Sequence, residues 1–314
     1  MDLMNNWKKS ALAATAAVTT TLALTACSPQ EDDGKLQVLA AFYPLQFVTE
    51  YIGGKYVTID SLTPQGAEPH DIELAPAHTR AIGTADLVIY QSGFQAAVDE
   101  AIEARNPEHV YDAAVHAQLE PGHSHSEDEH ADEEAAGDGH DHGATDPHFW
   151  LDPTLLAHVA EDINAQLAKQ DPKNASAFQE NTDKLLEELA TLDKNYTEDL
   201  KTCEQRSIVV THEAFGYLAH KYDFEQVGIT GIDPETEPSP AQLRSVKEHI
   251  AEHNITTIFF ETLTSPKVAQ TLAQDLNVAT RVLDPIEGLV DPNETYLTVM
   301  EANLQALKTG MHCS

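Results

Sequence analysis

The chain has 314 residues, 41% of them hydrophobic and 22% charged, the make-up of a globular protein long enough for two lobes rather than one core. Its 18 basic residues face 52 acidic ones. The resulting formal charge of −34 excludes a nucleic-acid or anionic-membrane surface and leaves two readings open, a cationic ligand or simple solubility.

Lys8 and Lys9 precede an apolar, small-residue stretch from Ala11 to Ala26 that is too short to span a bilayer, so residues 1–26 read as a secretory signal. The stretch ends in Leu24-Thr25-Ala26-Cys27, which resembles a bacterial lipobox. Cleavage before Cys27 and lipidation of its thiol would anchor the mature protein outside the cytoplasm on the cell membrane, in the periplasm of a cell with two membranes. The alternative is an ordinary signal peptide with an accidental cysteine. Residues 27–35 then form a polar, acidic tether. Two further cysteines, Cys203 and Cys313, are expected to pair in an oxidising compartment, unless they are two unrelated thiols.

From Leu36 the segments LQVLAAFY, YVTIDSLT, ADLVIYQS and HVYDAA read as apolar strands, with FVTEYIGG closing on a glycine pair, and the region 36–171 is expected to form an N-terminal α/β lobe with a mostly parallel sheet. Within it, residues 116–145 have almost no apolar side chain and read as a surface loop without order of its own. A helical stretch follows Pro153 and runs to about Asp171. Pro172 is placed to start another helix, and Phe178, Leu185, Leu186, Leu189, Leu192, Tyr196 and Leu200 recur mainly at spacings of three and four, which predicts a long amphipathic connecting helix over 172–202. The rest, 203–314, reads as a second α/β lobe. In it RSIVVTHEAFGYLAHKY gives strand, turn and helix, ITTIFFET and ATRVLDP are strands, and SPKVAQTLAQDL is a helix. A ligand of such a fold sits at the carboxyl ends of the strands, here in the cleft between the lobes.

Four positions lie at or near expected strand ends beside turn residues: His70 after Pro69, His148 after Pro147, His212 after SIVVT, and Asp284 before Pro285. Each alone reads equally as a capping or exposed polar residue. Together they form a set of three imidazoles and a carboxylate that suits Zn²⁺ in tetrahedral geometry. Glu68, Glu213, Glu261 and Glu287 are candidates for carboxylates that hydrogen-bond such ligands.

In order along the chain, GAEPHDIEL, TDPHFWLDP, VVTHEAFGYLA, EPSPAQL, FFETLTSPKVAQTLA and RVLDPIEGL resemble the signature segments of the zinc- and manganese-type substrate-binding proteins of ABC importers. The resemblance runs from about Leu36 to the C-terminus. It implies two α/β lobes joined by a rigid helix, a single ion in the cleft, delivery of that ion to a membrane permease driven by its ATPase, and no catalysis. It places metal ligands at His70, His148 and His212, with histidine rather than glutamate at 212 pointing to zinc over manganese. It puts the carboxylate at Asp284, with Glu287, which some relatives use instead, as the alternative. It also implies a monomer whose cargo, Zn²⁺, is transported rather than resident.

Within the acidic loop, His116, His123, His125, His130, His140 and His142 resemble the His-rich loop of zinc members and are expected to concentrate or sense zinc, against a merely solvating role. The metalloprotease pattern HExxH is absent: His212-Glu213 is followed by AFGYLAH, which puts His220 at the wrong spacing. Two readings of the same fold remain as alternatives, a manganese or iron carrier and a zinc-dependent surface adhesin or scavenger.

Overall fold

A computed structural model describes residues 34–115 and 146–314. The expected alternation of strand and helix is what forms. Strands β1 (Leu36–Ala40), β2 (Val57–Ser61), β3 (Leu87–Tyr90) and β4 (Val110–Asp112) make a parallel sheet in the order β2-β1-β3-β4. Strands β5 (Ser207–Val210), β6 (Glu225–Gly228), β7 (Thr257–Phe260) and β8 (Ala279–Val282) make a second one in the order β6-β5-β7-β8, also parallel. All-parallel pairing requires crossover connections. Helices supply most of them: α1 (Tyr43–Gly53), α2 (Pro76–Ile82) and α3 (Ala96–Arg105) in the first lobe, and α6 (Gly216–Lys221), α7 (Pro240–Glu252) and α8 (Lys267–Leu276) in the second. The glycine pair read as a helix end is one: Gly54 caps α1 at φ 52°, where a side chain would be strained.

Between the lobes run α4 (Pro153–Gln170), a short 3₁₀ turn at Pro172–Asn174 and α5 (Ala175–Asp199), with α9 (Tyr296–Gly310) closing the chain. Asp152 caps α4, accepting from the backbone N–H of Thr154 at 2.8 Å. At 1.5 Å per residue, the 25 residues of α5 extend about 37 Å. The buried stripe of α5 is Phe178, Thr182, Leu185, Leu189, Leu192 and Tyr196, spaced four, three, four, three and four, while Leu186 is only half-buried. Tyr196, fully buried, donates its hydroxyl to the carbonyl of Met300 at 2.7 Å, fastening α5 to α9.

The lobes are not separately cored. Ile208, Val210, Phe259, Leu283 and Ile286 of the second lobe belong to the same contiguous apolar cluster as Val38, Leu45, Val88, Trp150 and the α5 stripe, and a smaller cluster around Val246, Ile258 and Leu272 lies under α7 and α8. Lys221 on α6 reaches across to Thr154 (2.9 Å) and lies 3.7 Å from both Asp152 and Asp193. Bending the lobes apart would expose that shared core to water. Cys203 and Cys313 form a disulfide that ties the end of α9 to the chain entering β5.

Candidate metal centre

Both sheets have their strand order reverse beside the first strand, between β1 and β3 and between β5 and β7, and segments from both lobes beyond the strands meet in one place. Such switch points leave a crevice because the connections on either side of it diverge. Into it the structure brings His70, from the loop after β2, His148, from the segment before α4, His212, two residues past β5, and Glu287, five past β8. One donor atom from each lies within 4.8 Å of every other. Glu287 Oε1 lies 3.2 Å from His70 Nε2, 2.8 Å from His148 Nε2 and 3.4 Å from His212 Nε2. A tetrahedral ion held at about 2.0–2.1 Å by nitrogen spaces its donors about 3.3–3.4 Å apart, and the three distances from Glu287 lie near that spacing.

The imidazoles are held from behind. His148 Nδ1 lies 2.7 Å from Asp146 Oδ1 and His212 Nδ1 lies 3.0 Å from Glu261 Oε1, so both rings turn Nε2 toward Glu287. A carboxylate on the far nitrogen fixes ring orientation and raises the basicity of the nitrogen that meets a metal. Glu261 is itself gripped by the hydroxyls of Thr211 (3.1 Å) and Thr264 (2.8 Å). Glu68 serves the third histidine differently, accepting the backbone N–H of His70 at 2.8 Å. Glu213 is not part of the group: its N–H donates to the carbonyl of Gly231 and its own carbonyl accepts from Gln226.

Asp146 was not among the expected residues, yet its role has a sequence trace. Glu68-Pro69-His70 and Asp146-Pro147-His148 repeat one pattern, and in both the acid accepts the N–H of the histidine two positions on, at 2.8 and 2.9 Å. Proline favours an extended residue before it and brings no competing N–H, which leaves the acid's side chain to close the turn. Gly216, the first residue of α6, lets the Asp146 carboxylate approach; a Cβ there would collide with its Oδ2. The buried amides of Gln91 and Gln95 steady the two ligand loops, donating to the carbonyls of Pro147 (2.8 Å) and Pro69 (3.1 Å).

The carboxylate in the group is Glu287, not Asp284. Asp284 Oδ2 accepts from the hydroxyl of Thr262, and Oδ1 accepts the N–H of Ile286 at 2.8 Å, the same acid-proline turn in a third setting. Burial first, and the nearby Glu287 after it, push Asp284 up to about 6. Asn303 on α9 holds the Asp284 peptide from both sides, accepting its N–H at 2.9 Å and donating to its carbonyl at 2.7 Å. Trp150 donates its indole N–H to the carbonyl of Pro285 at 2.7 Å.

Charge in the site is partitioned by these contacts. Burial opposes ionisation of Glu287, but hydrogen bonds from His148 and His70 and the nearby His212 ring hold its carboxyl well below the ordinary range. Burial likewise opposes a charge on His212, and Glu261 with Glu287 outweighs it, raising the ring to about 10. His148 rises for the same reasons, through Asp146 and Glu287. Glu68 goes the other way: burial and the Glu287 charge push it up to about 9, so it keeps its proton at neutral pH. Four buried polar atoms here, His212 Nε2, Glu287 Oε2, Glu261 Oε2 and Glu68 Oε2, have no well-aligned hydrogen-bond partner. Leaving such atoms unpaired costs about 1–3 kcal/mol each. His212 Nε2 and Glu287 Oε2 belong to the donor residues themselves, and a cation between them would satisfy both.

Cys27, the tether up to residue 33 and the loop histidines His116, His123, His125, His130, His140 and His142 lie outside the described residues.

Three comparisons with known proteins bear on this geometry. The family described as "ZnuA: Zinc-uptake complex component A periplasmic" matches residues 38–310. The high-affinity zinc uptake system protein ZnuA of Bacillus subtilis is 37% identical over 284 residues, which cover 88% of this chain and 88% of that protein. The zinc-binding lipoprotein AdcA of Streptococcus pneumoniae is 35% identical over 295 residues, covering 91% of this chain but 58% of AdcA, so the chain spans little more than half of that relative. Among solved structures, the Zn(II)-bound ZnuA-like domain of S. pneumoniae AdcA superposes with a TM-score of 0.74 at 32% identity, covering 88% of this chain and 99% of that one. The laminin-binding protein Lmb of Streptococcus agalactiae, described as a bifunctional protein with adhesin and metal transporting activity, gives 0.77 at 29% identity with the same coverage.

Proposed function

The chain belongs to the ZnuA family of zinc-uptake components, and from that premise we propose that it is the extracytoplasmic solute-binding protein that captures Zn²⁺ and delivers it to an ABC permease and its ATPase. The observation that carries this reading is the group His70, His148, His212 and Glu287, buried except for the part-exposed His70, with every donor supplied by protein. Three neutral imidazoles and one carboxylate are a borderline donor set; Mn²⁺ prefers more oxygen. Full protein coordination also leaves no position for the activated water that a hydrolase needs, which supports a carrier rather than an enzyme. As a monomer the protein needs no second copy to complete the group, since all four donors come from one chain.

The ion is the cargo, so capture and release must both occur. The shared core and the Lys221 tie favour local movement over hinge opening. A cavity of about 500 Å³ has Glu287 in its lining beside Glu50, Asp60 and Glu294, and these carboxylates suit the approach of a cation. The lipobox-like Leu24-Thr25-Ala26-Cys27 supports an anchor that keeps the protein at the membrane beside the permease, and the His-rich acidic segment supports local concentration of zinc. The adhesin description of Lmb supports a second reading, in which the same metal-bearing fold also presents a binding surface outside the cell.

Competition titration of the chelator-stripped protein tests the function. One Zn²⁺ per chain, bound more tightly than Mn²⁺, with His212→Glu narrowing the gap, is expected. Tighter Mn²⁺ binding by the unaltered protein contradicts the zinc assignment, and failure of the gene to restore growth at low zinc in a strain lacking its own carrier contradicts the transport role.

A further inference from the structure

Six described non-glycine residues have positive φ; five are Asn106, Asp223, Asn254, Asn277 and His312, types that tolerate the left-handed region. The sixth is Ile286, at φ 59°, a β-branched residue whose side chain crowds the following carbonyl in that conformation. Its apolar side chain is fully buried, and it stands immediately before Glu287. A turn like this persists only where its surroundings over-determine it, and strain so held clusters where a structure switches.

The surroundings are specific. The Ile286 N–H is held by Asp284 Oδ1, the other Asp284 oxygen by Thr262, and the Asp284 peptide by Asn303 on both its N–H and its carbonyl. Trp150 grips the carbonyl of Pro285 between them. These contacts fix the residues before Glu287, whereas the Glu287 carboxylate meets the three imidazoles and little else.

We propose that Asp284 is a positioning residue: through the Ile286 N–H it holds a strained turn that delivers the Glu287 carboxylate to the three histidines, and relaxation of that turn is the step in which the carboxylate leaves the ion. The inference rests on Glu287 being the fourth ligand. It explains why an acid outside the donor group is buried at this place, and it makes release a local change of one backbone torsion instead of a lobe movement. Anything that loosens Thr262, Asn303 or Trp150 speeds release by the same route.

Zinc release from the loaded mature protein into excess chelator, read by stopped flow, together with the absorption spectrum of the Co²⁺-substituted protein, provides the test. Asp284→Ala should accelerate release by about tenfold or more and change the Co²⁺ bands as the carboxylate withdraws. Asp284→Asn should stay near the unaltered protein, since its amide oxygen still accepts from Ile286 and Thr262 can accept from its NH₂. Ile286→Gly added to Asp284→Ala should restore slow release and the original spectrum, because glycine takes positive φ without a clamp. Should Asp284→Ala fail to fold, Asn303→Ala carries the same expectation of faster release. The proposal is overturned if Asp284→Ala or Asn303→Ala releases zinc at the original rate, if Asp284→Asn is as fast as Asp284→Ala, or if glycine at 286 restores nothing. Glu287→Gln separates the two layers: unchanged zinc affinity there sinks the ligand reading, whereas weakened affinity with Asp284→Ala unaffected sinks this inference alone.

Discussion

The indole nitrogen of Trp150 donates to the carbonyl of Pro285 at 2.7 Å, and both groups are buried. Trp150 lies two residues past His148, and Pro285 two before Glu287, so one hydrogen bond registers the first lobe at His148 against the second at Glu287. Trp150 also packs on Phe42 and Phe94, whose ring meets that of His70 edge-on at 4.8 Å. Trp150→Phe keeps most of the apolar volume but strands the Pro285 carbonyl. The expected loss is about 1–3 kcal/mol in urea unfolding of the zinc-free protein, with faster zinc release; an unchanged midpoint and rate would show that the register does not depend on this bond.

The fold was largely legible in the residues because most of its strands are short apolar runs, those of β3, β5 and β7 largely buried, and because the connecting helix repeats its apolar stripe at a helical period. Strand β6, with the sequence EQVG, carries no apolar run and lies at a sheet edge, so nothing in its composition announces it. His212 was legible from its place two residues past β5, whereas His70, in the loop after β2, and His148, before α4 and at no strand end, were legible from the pairs Pro69-His70 and Pro147-His148. The fourth donor was not settled by the same logic, since Asp284-Pro285 looks like the acid-proline pairs beside the histidines and indeed closes the same turn. Ile286, at positive φ, stands between Asp284 and the Glu287 that the structure brings to the histidines, and a β-branched side chain does not advertise that conformation. The acid-proline turn is itself unspecific: Asp233-Pro234-Glu235 and Asp291-Pro292-Asn293 form it on the exposed surface.

Removing the carboxylates behind the rings should weaken binding without removing a donor. Asp146→Ala and Glu261→Ala are each expected to lower zinc affinity about 10- to 100-fold in competition titrations. Equal affinity in both variants would mean that the rings hold their orientation by packing alone.

Gly216→Ala offers a sharper check on Asp146. On helix propensity alone the change is favourable, by up to about 1 kcal/mol, but the added Cβ collides with the Asp146 carboxylate. Reduced zinc affinity is therefore expected despite the better helix former, measured beside Asp146→Ala. Affinity at the original level would show that Asp146 has room to shift.

Acid should weaken zinc binding, and the shifts give the sign. His212, raised to about 10, and His148, also raised, hold protons that zinc must displace. Binding should release protons, detectable as a dependence of calorimetric heat on the buffer, and affinity should climb as pH rises from 6 to 9. For the zinc-free protein the linkage runs oppositely. A folded-state pKa above the ordinary 6.5 contributes stability that is full below about 6.5 and lost as pH rises through about 10. Its melting temperature should fall over that window, and a rise would contradict the charge assignment.

The Cys203–Cys313 disulfide closes a separation of 110 residues. Replacing both cysteines by serine should cost about 2–4 kcal/mol of stability while leaving zinc affinity unchanged, because neither cysteine stands next to the group: along the chain, His212 is nine residues past Cys203 and Glu287 is twenty-six before Cys313. A matched loss of affinity, read by the same titration, would show that the tether also shapes the site.

The central claim is the identity of four donors around one ion. Anomalous diffraction at the zinc edge from crystals of the mature protein should give one strong peak per chain, within about 2.0–2.2 Å of His70, His148 and His212 Nε2 and of a Glu287 oxygen. A peak that Asp284 reaches in place of Glu287, or one that lies outside this group, would contradict it.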